Sequence, residues 1–204
     1  MVKRIDGMLP VMEQFYTLQG EGLYSGQAAY FIRLSGCDVG CHWCDVKESW
    51  QIEDKQFISI LSILERVAAS NARIVVVTGG EPFTHDLSQL CLELSKSNVR
   101  LHVETAGVYP ITGHWDWICL SPKKFKPVLE EYYQQANELK VVIYNQSDFE
   151  WAENQAKKTN LNARLFIQAE WSKEPEISMS LVTFVKNNPL WTLSVQIHKY
   201  LAIP

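Results

Sequence analysis

Three cysteines fall within eight consecutive positions, in the segment GCDVGCHWCD at positions 36–45. Their CxxxCxxC spacing suits a compact loop that offers three thiolates to one metal centre, and it is a poor basis for a disulfide framework. A 4Fe-4S cube accepts four thiolates, so a loop that supplies three leaves one iron open to a further ligand. We therefore predict that Cys37, Cys41 and Cys44 hold such a cluster.

Zinc is the competing interpretation of this loop. Zinc takes four nitrogen or sulfur ligands, which His42 or His102 could complete, although the chain offers no second two-ligand knuckle. A zinc-stabilised binding module without catalysis is therefore the non-enzyme alternative. The other two cysteines, Cys91 and Cys119, lie in apolar helix and strand patterns and are expected to pack in the core.

Further glycine-rich or polar segments follow other apolar runs. They occupy positions 78–82, 104–107, 121–123 and 168–171. The first contains Gly79-Gly80-Glu81-Pro82, which on its own is a weak signal because a strand-to-helix turn has the same composition. The segment becomes informative about function because it follows the cysteine loop in the chain.

Alternating strands and helices position these segments. Apolar runs predict six strands, near 28–36, 73–78, 99–105, 117–120, 139–144 and 164–168. Apolar residues at helical spacing predict helices near 57–70, 86–97, 128–137 and 148–159. This alternation predicts an α/β fold, an open partial TIM-like β/α barrel of about six parallel strands. Ligands of such sheets bind at the carboxyl ends of the strands, where every segment above lies.

Composition limits the class of protein. The chain has 204 residues, 47% of them hydrophobic, and a net charge of −4. This length predicts a single domain over 1–204, and the negative charge disfavours a nucleic-acid partner. The start of the chain, residues 1–7, lacks the apolar core of a secretory signal, and no apolar run is long enough to cross a membrane. We expect a cytoplasmic protein.

The cysteine loop and the GGEP segment together resemble the radical S-adenosylmethionine superfamily. The resemblance implies that the open iron binds the amino acid end of S-adenosylmethionine, whose reductive cleavage gives a 5′-deoxyadenosyl radical. The protein then supplies orientation and protection from side reactions. The residues implied to contact S-adenosylmethionine are Trp43, Asp45, Gly80, Glu81, Thr105, Ser121, Pro122, Lys123, Gln168, Ala169, Glu170 and Trp171.

Three further segments narrow the resemblance to the 7-carboxy-7-deazaguanine synthase family of the queuosine pathway. They are FYTLQGEG at 15–22, FIRLSGC at 31–37 and SVQIHK at 194–199. The implied substrate is 6-carboxy-5,6,7,8-tetrahydropterin, whose guanidine-like edge needs acceptors and whose carboxylate needs a guanidinium. The implied substrate contacts are Leu18, Gln19, Gly20, Glu21, Arg33, Thr78, His198 and Pro204. For Arg33, an internal salt bridge is the alternative role.

The resemblance also implies a reaction and partners. Hydrogen abstraction at C6 of the pterin leads to ring contraction, loss of ammonia and regeneration of S-adenosylmethionine, which makes the enzyme a carbon-nitrogen lyase. A flavodoxin or ferredoxin is the implied electron donor, and a homodimer is the implied assembly. A glycyl-radical-enzyme activase is the alternative enzyme, but it would not explain Gln19, Glu21 and Arg33.

Two expectations concern particular positions. Members of the family commonly carry a hydroxyl that binds Mg²⁺ two positions after the last cysteine, whereas this chain has Val46. A neighbouring oxygen such as Asp45 would have to serve, or the ion matters less. The second is the apolar C-terminal tail, which we expect to be docked over the substrate, with the Pro204 carboxylate accepting hydrogen bonds from the pterin. The alternative is that Leu201 and Ile203 only cap the core.

Overall fold

A computed structural model describes residues 7–204 of the chain. Residues 1–6, on which the expectation of no secretory signal largely rests, lie outside the described residues. Within 7–204, nine strands form one sheet in the order β3-β1-β2-β4-β5-β6-β7-β8-β9. Their bounds are β1 Met8–Leu18, β2 Ala28–Leu34, β3 Phe57–Ser59, β4 Ile74–Gly79, β5 Arg100–Thr105, β6 Trp117–Leu120, β7 Glu138–Ile143, β8 Arg164–Ala169 and β9 Trp191–Ser194.

The six predicted strands are β2 and β4 to β8, and each pairs in parallel with the next. This confirms the α/β partial barrel. The sheet is larger than predicted because β9 adds a parallel strand beside β8, and β1 pairs antiparallel with both β2 and β3. Both chain ends therefore contribute strands to the sheet that carries the motifs.

Helices cover the connections between strands. They are α1 Ile60–Ser70, α2 Ser88–Leu94, α3 Glu130–Gln135, α4 Ser147–Ala156, α5 Glu174–Asn187 and α6 Ile197–Leu201. The first predicted helix is shorter than expected because its first three residues form β3, and Ser59 then caps α1 through a 3.1 Å bond from the Ser62 N–H. None of the helices in the described chain combines the length and apolar character that crossing a bilayer requires.

The two faces of the sheet have different chemistry. Side chains on the face covered by helices are apolar and form the main core, with Ile32 on β2, Val75 on β4 and Leu139 on β7 all fully buried. Because successive strand residues point to opposite faces, the residues between them face the concave side. On β7 these are Glu138 and Lys140, which are charged and buried. The concave face therefore carries buried charges on β7, beside an apolar cluster of Ala29, Phe31, Ile74 and Val76 on β2 and β4.

Candidate active site

One cavity of about 270 Å³ lies at the carboxyl ends of the parallel strands. Every residue that the sequence analysis assigned to the cluster, S-adenosylmethionine or the substrate lines it, with the exception of Pro122, and so does Val46. Pro122 is buried beside Ser121. The loops after five different strands thus converge on one space, as the alternation of strands and helices predicts.

The cysteine loop leaves β2 and is fixed at both ends by backbone hydrogen bonds. The Gly36 N–H donates to the Ser49 carbonyl at 2.7 Å, and the Cys37 N–H donates to the Trp50 carbonyl at 3.2 Å. All three thiols line the cavity, with Val39 packed on them. Burial raises the pKa of Cys37 and raises that of Cys41 to about 11, so these two thiols are protonated at neutral pH in the absence of a metal.

The GGEP loop lies directly against the cysteine loop. The Gly80 N–H donates to the Leu34 carbonyl at 2.9 Å, and the Glu81 N–H donates to the Gly36 carbonyl at 2.9 Å. A β-carbon on Gly80 would lie 2.4 Å from the Gly36 carbonyl oxygen and 2.9 Å from the β-carbon of Cys37. Only glycine permits this close approach of the two loops.

Glu81 joins the GGEP loop to the loop after β5. Its carboxylate accepts the Thr105 hydroxyl at 2.6 Å and the N–H groups of Ala106 and Phe83 at 2.8 and 3.3 Å. Burial raises the pKa of Glu81, while these donors favour its charged form. Both Glu81 and Thr105 therefore have partners within the protein in addition to their place on the cavity wall.

Lys123 supplies a positive charge to the same wall. Its ammonium donates to the Ser121 carbonyl at 2.8 Å and lies 5.8 Å from the centre of the Trp43 ring. Burial lowers the pKa of Lys123. None of the ion pairs in the described chain includes this ammonium, which suits it to an anionic ligand group.

The QGEG segment, residues 19–22, closes the other side of the cavity. The Glu21 carboxylate accepts hydrogen bonds from Lys140, from Gln168 at 3.0 Å and from Gln196 at 2.8 Å. Burial raises the pKa of Glu21, but the Lys140 ammonium and these donors outweigh it and bring the pKa to about 2. Gln168, predicted as an S-adenosylmethionine contact, thus also binds the QGEG segment.

Two charged residues of this network were not predicted as site residues. Lys140 and Glu104 line the cavity, and Glu104 accepts hydrogen bonds from Gln19 at 3.0 Å and from Lys140 at 3.3 Å. A signal was present in the sequence, because a lysine within the apolar run of β7 requires a buried counter-charge. The partners could not be identified, since Glu21 lies 119 positions away from Lys140.

Arg33 lines the cavity but is not isolated in the apolar interior. Its side chain is 21% exposed and pairs with Glu13 of β1 at 2.6 Å. It also lies 5.8 Å from the centre of the Phe15 ring. Antiparallel pairing of β1 with β2 places Glu13 beside it, so the guanidinium has an anionic partner within the protein. The salt bridge that the sequence left as an alternative is present.

The segment after the cysteines provides few oxygen ligands. Val46 lines the cavity, and the neighbouring Asp45 carboxylate is exposed and pairs with Lys199 of α6 at 2.9 Å. The Ser49 hydroxyl donates to the Val46 carbonyl at 2.7 Å. Of the side chains at positions 45 to 49 that line the cavity, Asp45 has the one carboxylate, and it is already paired with Lys199. These side chains therefore do not fit a Mg²⁺ site built by the protein alone.

The C-terminal tail completes the cavity next to the QGEG segment. The Ile197 N–H donates to the Gly20 carbonyl at 3.0 Å, and the His198 ring packs so closely on Gly20 that a β-carbon would lie 2.0 Å from its Nδ1. Pro204 lines the cavity, as expected. Of the two residues in the alternative interpretation, Leu201 is 55% exposed and does not cap the core, whereas Ile203 is partly buried.

The zinc interpretation can be compared with these positions. His42 is exposed and contacts Phe125 and Tyr144, while His102 is buried between Tyr24 and Trp117 and does not line the main cavity. Within residues 7–204, no three His, Cys, Asp or Glu side chains converge tightly enough for a single metal ion. Zinc would need a fourth nitrogen or sulfur ligand, and neither histidine is held beside the three thiols, whereas a cube needs only three thiolates and leaves one iron open.

Comparison with known proteins agrees with this geometry. The Radical SAM superfamily matches residues 31–131. The chain is 56% identical to 7-carboxy-7-deazaguanine synthase of Flavobacterium psychrophilum over 97% of this chain and 93% of the relative. It is 44% identical to that of Synechocystis sp. over 95% and 93%.

This chain belongs to the 7-carboxy-7-deazaguanine synthase family. A crystal structure of QueE from Escherichia coli matches with a TM-score of 0.82 and 30% identity over 93% of this chain and 94% of that one. Membership of the family implies a radical SAM enzyme with a 4Fe-4S cluster and S-adenosylmethionine as cofactors. The residues present fit both groups, since three thiols and an unpaired ammonium face one cavity.

Proposed function

We propose that this chain converts 6-carboxy-5,6,7,8-tetrahydropterin to 7-carboxy-7-deazaguanine with loss of ammonia, as a carbon-nitrogen lyase. The observation that carries the proposal is the meeting of the cysteine loop, the QGEG segment and the C-terminal tail around one cavity. A glycyl-radical-enzyme activase would need an open groove for a peptide, whereas here the tail lies across the QGEG segment.

The cofactor side of the cavity is assigned as follows. Cys37, Cys41 and Cys44 would hold the cluster, which leaves one iron for the amino acid end of S-adenosylmethionine. When bound, the two cofactors supply one-electron cleavage and hydrogen-atom abstraction. Trp43 offers a ring face to the nucleoside, and Lys123 offers its ammonium to an anionic group. The other residues proposed here are Asp45, Gly80, Glu81, Thr105, Ser121, Pro122, Gln168, Ala169, Glu170 and Trp171.

The substrate side of the cavity separates donors from acceptors. Glu21 and the backbone of the QGEG segment would accept hydrogen bonds from the guanidine-like edge of the pterin, and Arg33 would bind its carboxylate. The guanidinium can serve this role while paired with Glu13, because it has five N–H donors. The remaining proposed contacts are Leu18, Gln19, Gly20, Thr78, His198 and Pro204.

The proposal also includes an electron donor, an assembly, a cellular compartment and a role for magnesium. The reductant is a small acidic electron carrier such as flavodoxin or ferredoxin, the assembly is a homodimer and the compartment is the cytoplasm. Magnesium, where it acts, would be held by substrate and water, because Val46 has no oxygen ligand and Asp45 is paired with Lys199.

The direct test is a reaction with the purified chain. Protein reconstituted anaerobically with iron and sulfide is incubated with S-adenosylmethionine, dithionite and the carboxypterin, and the products are separated by mass. We expect the deazaguanine acid and ammonia in equal amounts, with no net consumption of S-adenosylmethionine. Cys41→Ser is the matched control and should give neither product. Consumption of S-adenosylmethionine without the deazaguanine acid would contradict the proposal.

A further inference from the structure

Lys140 occupies an unusual position for a lysine. It extends from β7 into the concave side of the sheet and is only 3% exposed. Its ammonium donates to Glu21 of the QGEG segment and lies 3.3 Å from the carboxylate of Glu104 on β5. It therefore lies between two carboxylates that both line the cavity.

A buried ammonium has to be compensated to remain charged. Burial alone lowers the pKa of Lys140, but Glu104 and Glu21 outweigh it and hold the pKa well above its ordinary value. Conversely, two carboxylates this close would repel each other without the cation, and one of them would take up a proton. The three groups together carry one net negative charge.

The ammonium also fixes the direction of Glu21. Gln168 and Gln196 donate to its Oε1, while Lys140 donates to its Oε2. Each oxygen has two lone pairs, so a carboxylate held in this way keeps acceptor capacity for a ligand only while it is ionised. Besides each other, the titratable groups that act on Glu21 or Lys140 are Glu104, Cys119, Lys123, Glu138 and His198.

We propose that Lys140 is a positioning residue for substrate recognition, which holds the Glu21 carboxylate in place beside that of Glu104 so that Glu21 accepts N–H groups of the pterin edge. This inference rests on the proposed function. On this inference, two carboxylates paired with one buried ammonium select a ligand whose edge presents N–H donors. An edge that presents acceptors would meet two carboxylates with no proton to share.

The first test measures binding of the carboxypterin to the reconstituted enzyme with S-adenosylmethionine present, in the parent chain and in Lys140→Met. Removing one partner of a buried charge network should weaken binding on the order of tenfold to a hundredfold at neutral pH. The absorbance of the cluster and the affinity for S-adenosylmethionine should not change. Lys96→Met is the matched control, because it removes an exposed lysine that, among residues 7–204, forms an ion pair with Glu93 alone.

The dependence of binding on pH gives a signature that a purely structural role would not produce. In the parent chain the pKa of Glu21 is about 2, so its charge is constant between about pH 6 and pH 8. Burial lowers the pKa of the adjacent His198, which keeps that ring neutral over most of this range. In Lys140→Met the pKa of Glu21 rises, so binding should strengthen as the pH increases and the carboxyl loses its proton.

A double variant separates charge from packing. Lys140→Met with Glu104→Gln removes one carboxylate together with the ammonium, so Glu21 no longer has a like charge beside it. We expect tighter binding than in Lys140→Met alone and a weaker dependence on pH. If Lys140→Met does not fold, recovery of the fold in the double variant supports the proposal, and an unfolded double variant overturns it.

The remaining outcomes distinguish this inference from the proposed function. A parent chain that does not bind the carboxypterin contradicts the proposed function itself. A parent chain that binds it, together with a Lys140→Met variant of equal affinity and equal pH response, overturns the role of Lys140 alone. A loss of affinity in Lys140→Met that is independent of pH and is not relieved by Glu104→Gln also overturns it.

Discussion

At the scale of single residues, the five cysteines separate into two groups by their surroundings. Cys37, Cys41 and Cys44 line the cavity, whereas Cys91 packs against Gly113 in the core and Cys119 is buried on β6. The spacing of the first three fixes them on one loop, which is why local sequence was sufficient to predict them. For the charges of the barrel interior, the local sequence marks Lys140 within the apolar run of β7 but does not identify its partners Glu21 and Glu104.

The first prediction follows from that separation. Replacing any one of Cys37, Cys41 or Cys44 by serine should abolish the cluster, because the cube then loses one of its three protein thiolates. Cys91→Ala should retain it and lose only about 1 kcal/mol of stability through the missing sulfur. Iron content and absorbance at about 400 nm after anaerobic reconstitution measure the result. Loss of the cluster in Cys91→Ala with retention in Cys41→Ser would contradict the assignment.

The second prediction concerns Arg33. Arg33→Lys keeps the charge that pairs with Glu13 but loses the bidentate fork that suits a carboxylate. An exposed ion pair of this type contributes about 0.2–1 kcal/mol, so thermal unfolding should change little. The KM for the carboxypterin should rise, while the cluster and S-adenosylmethionine binding persist. Glu13→Gln is the companion variant, because it removes the salt bridge and leaves the guanidinium in place. An unchanged KM in Arg33→Lys would show that Arg33 serves the salt bridge alone.

The third prediction concerns magnesium. Because the Val46 side chain has no oxygen and Asp45 is paired with Lys199, the rate should respond weakly to added Mg²⁺. Val46→Thr introduces a hydroxyl at the cavity and should strengthen that response. Turnover measured with and without a chelator, over a series of Mg²⁺ concentrations, decides the matter. A strict requirement for Mg²⁺ that Val46→Thr leaves unaltered would show that other groups build the site.

At the scale of elements, sequence periodicity predicted the parallel strands β2 and β4 to β8 well, because glycine or polar residues mark where each of these apolar runs begins and ends. It did not predict β1, β3 or β9. The strand β3 was absorbed into a helix pattern, since its residues Phe57 and Ile58 continue the apolar spacing of α1. Pairing with β1, which the local sequence does not encode, decides its conformation. Edge strands of this kind depend on distant partners.

The fourth prediction tests the contact between the GGEP loop and the cysteine loop. Gly80→Ala places a methyl group 2.4 Å from the Gly36 carbonyl and 2.9 Å from the Cys37 side chain, so the two loops must separate. We expect lower iron content per chain and a lower temperature of thermal unfolding. Gly26→Ala is the control for a glycine substitution without a clash, because a methyl group there meets no atom within 4 Å, although Gly26 has a positive φ and Gly80 does not. Equal iron content in the two variants would contradict this role.

At the scale of the whole molecule, the site is assembled from both ends of the chain. The QGEG segment follows the N-terminal strand β1, and its Gly22 N–H donates to Ser194 at the end of β9, 3.1 Å away. The sequence predicted that the tail would dock, from its apolar character alone. It could not predict the hydrogen bonds that Ser194, Gln196 and Ile197 make with the QGEG segment, because polar pairing between distant segments leaves no periodic pattern.

The fifth prediction concerns this tail. Deleting residues 202–204 removes Pro204 from the cavity wall but leaves Gln196 and His198, which bind the QGEG segment. The affinity for the carboxypterin should fall, while the cluster and S-adenosylmethionine binding remain. Pro204→Ala is the companion variant that keeps the chain length. Full affinity in the truncated enzyme would exclude a role for Pro204.

The hydrogen bond from Gln196 to Glu21 joins residues 175 positions apart. During synthesis on the ribosome, the cysteine loop and the GGEP loop emerge long before Gln196 does, and domains generally begin to fold from the N-terminal side. The thiols can therefore be positioned while the QGEG segment still lacks Gln196 and the rest of the C-terminal tail. A chain that stops near residue 190 would contain both loops for its iron but would lack His198 and Pro204 on the substrate side, so quality control by iron content alone would accept a protein with an incomplete substrate site.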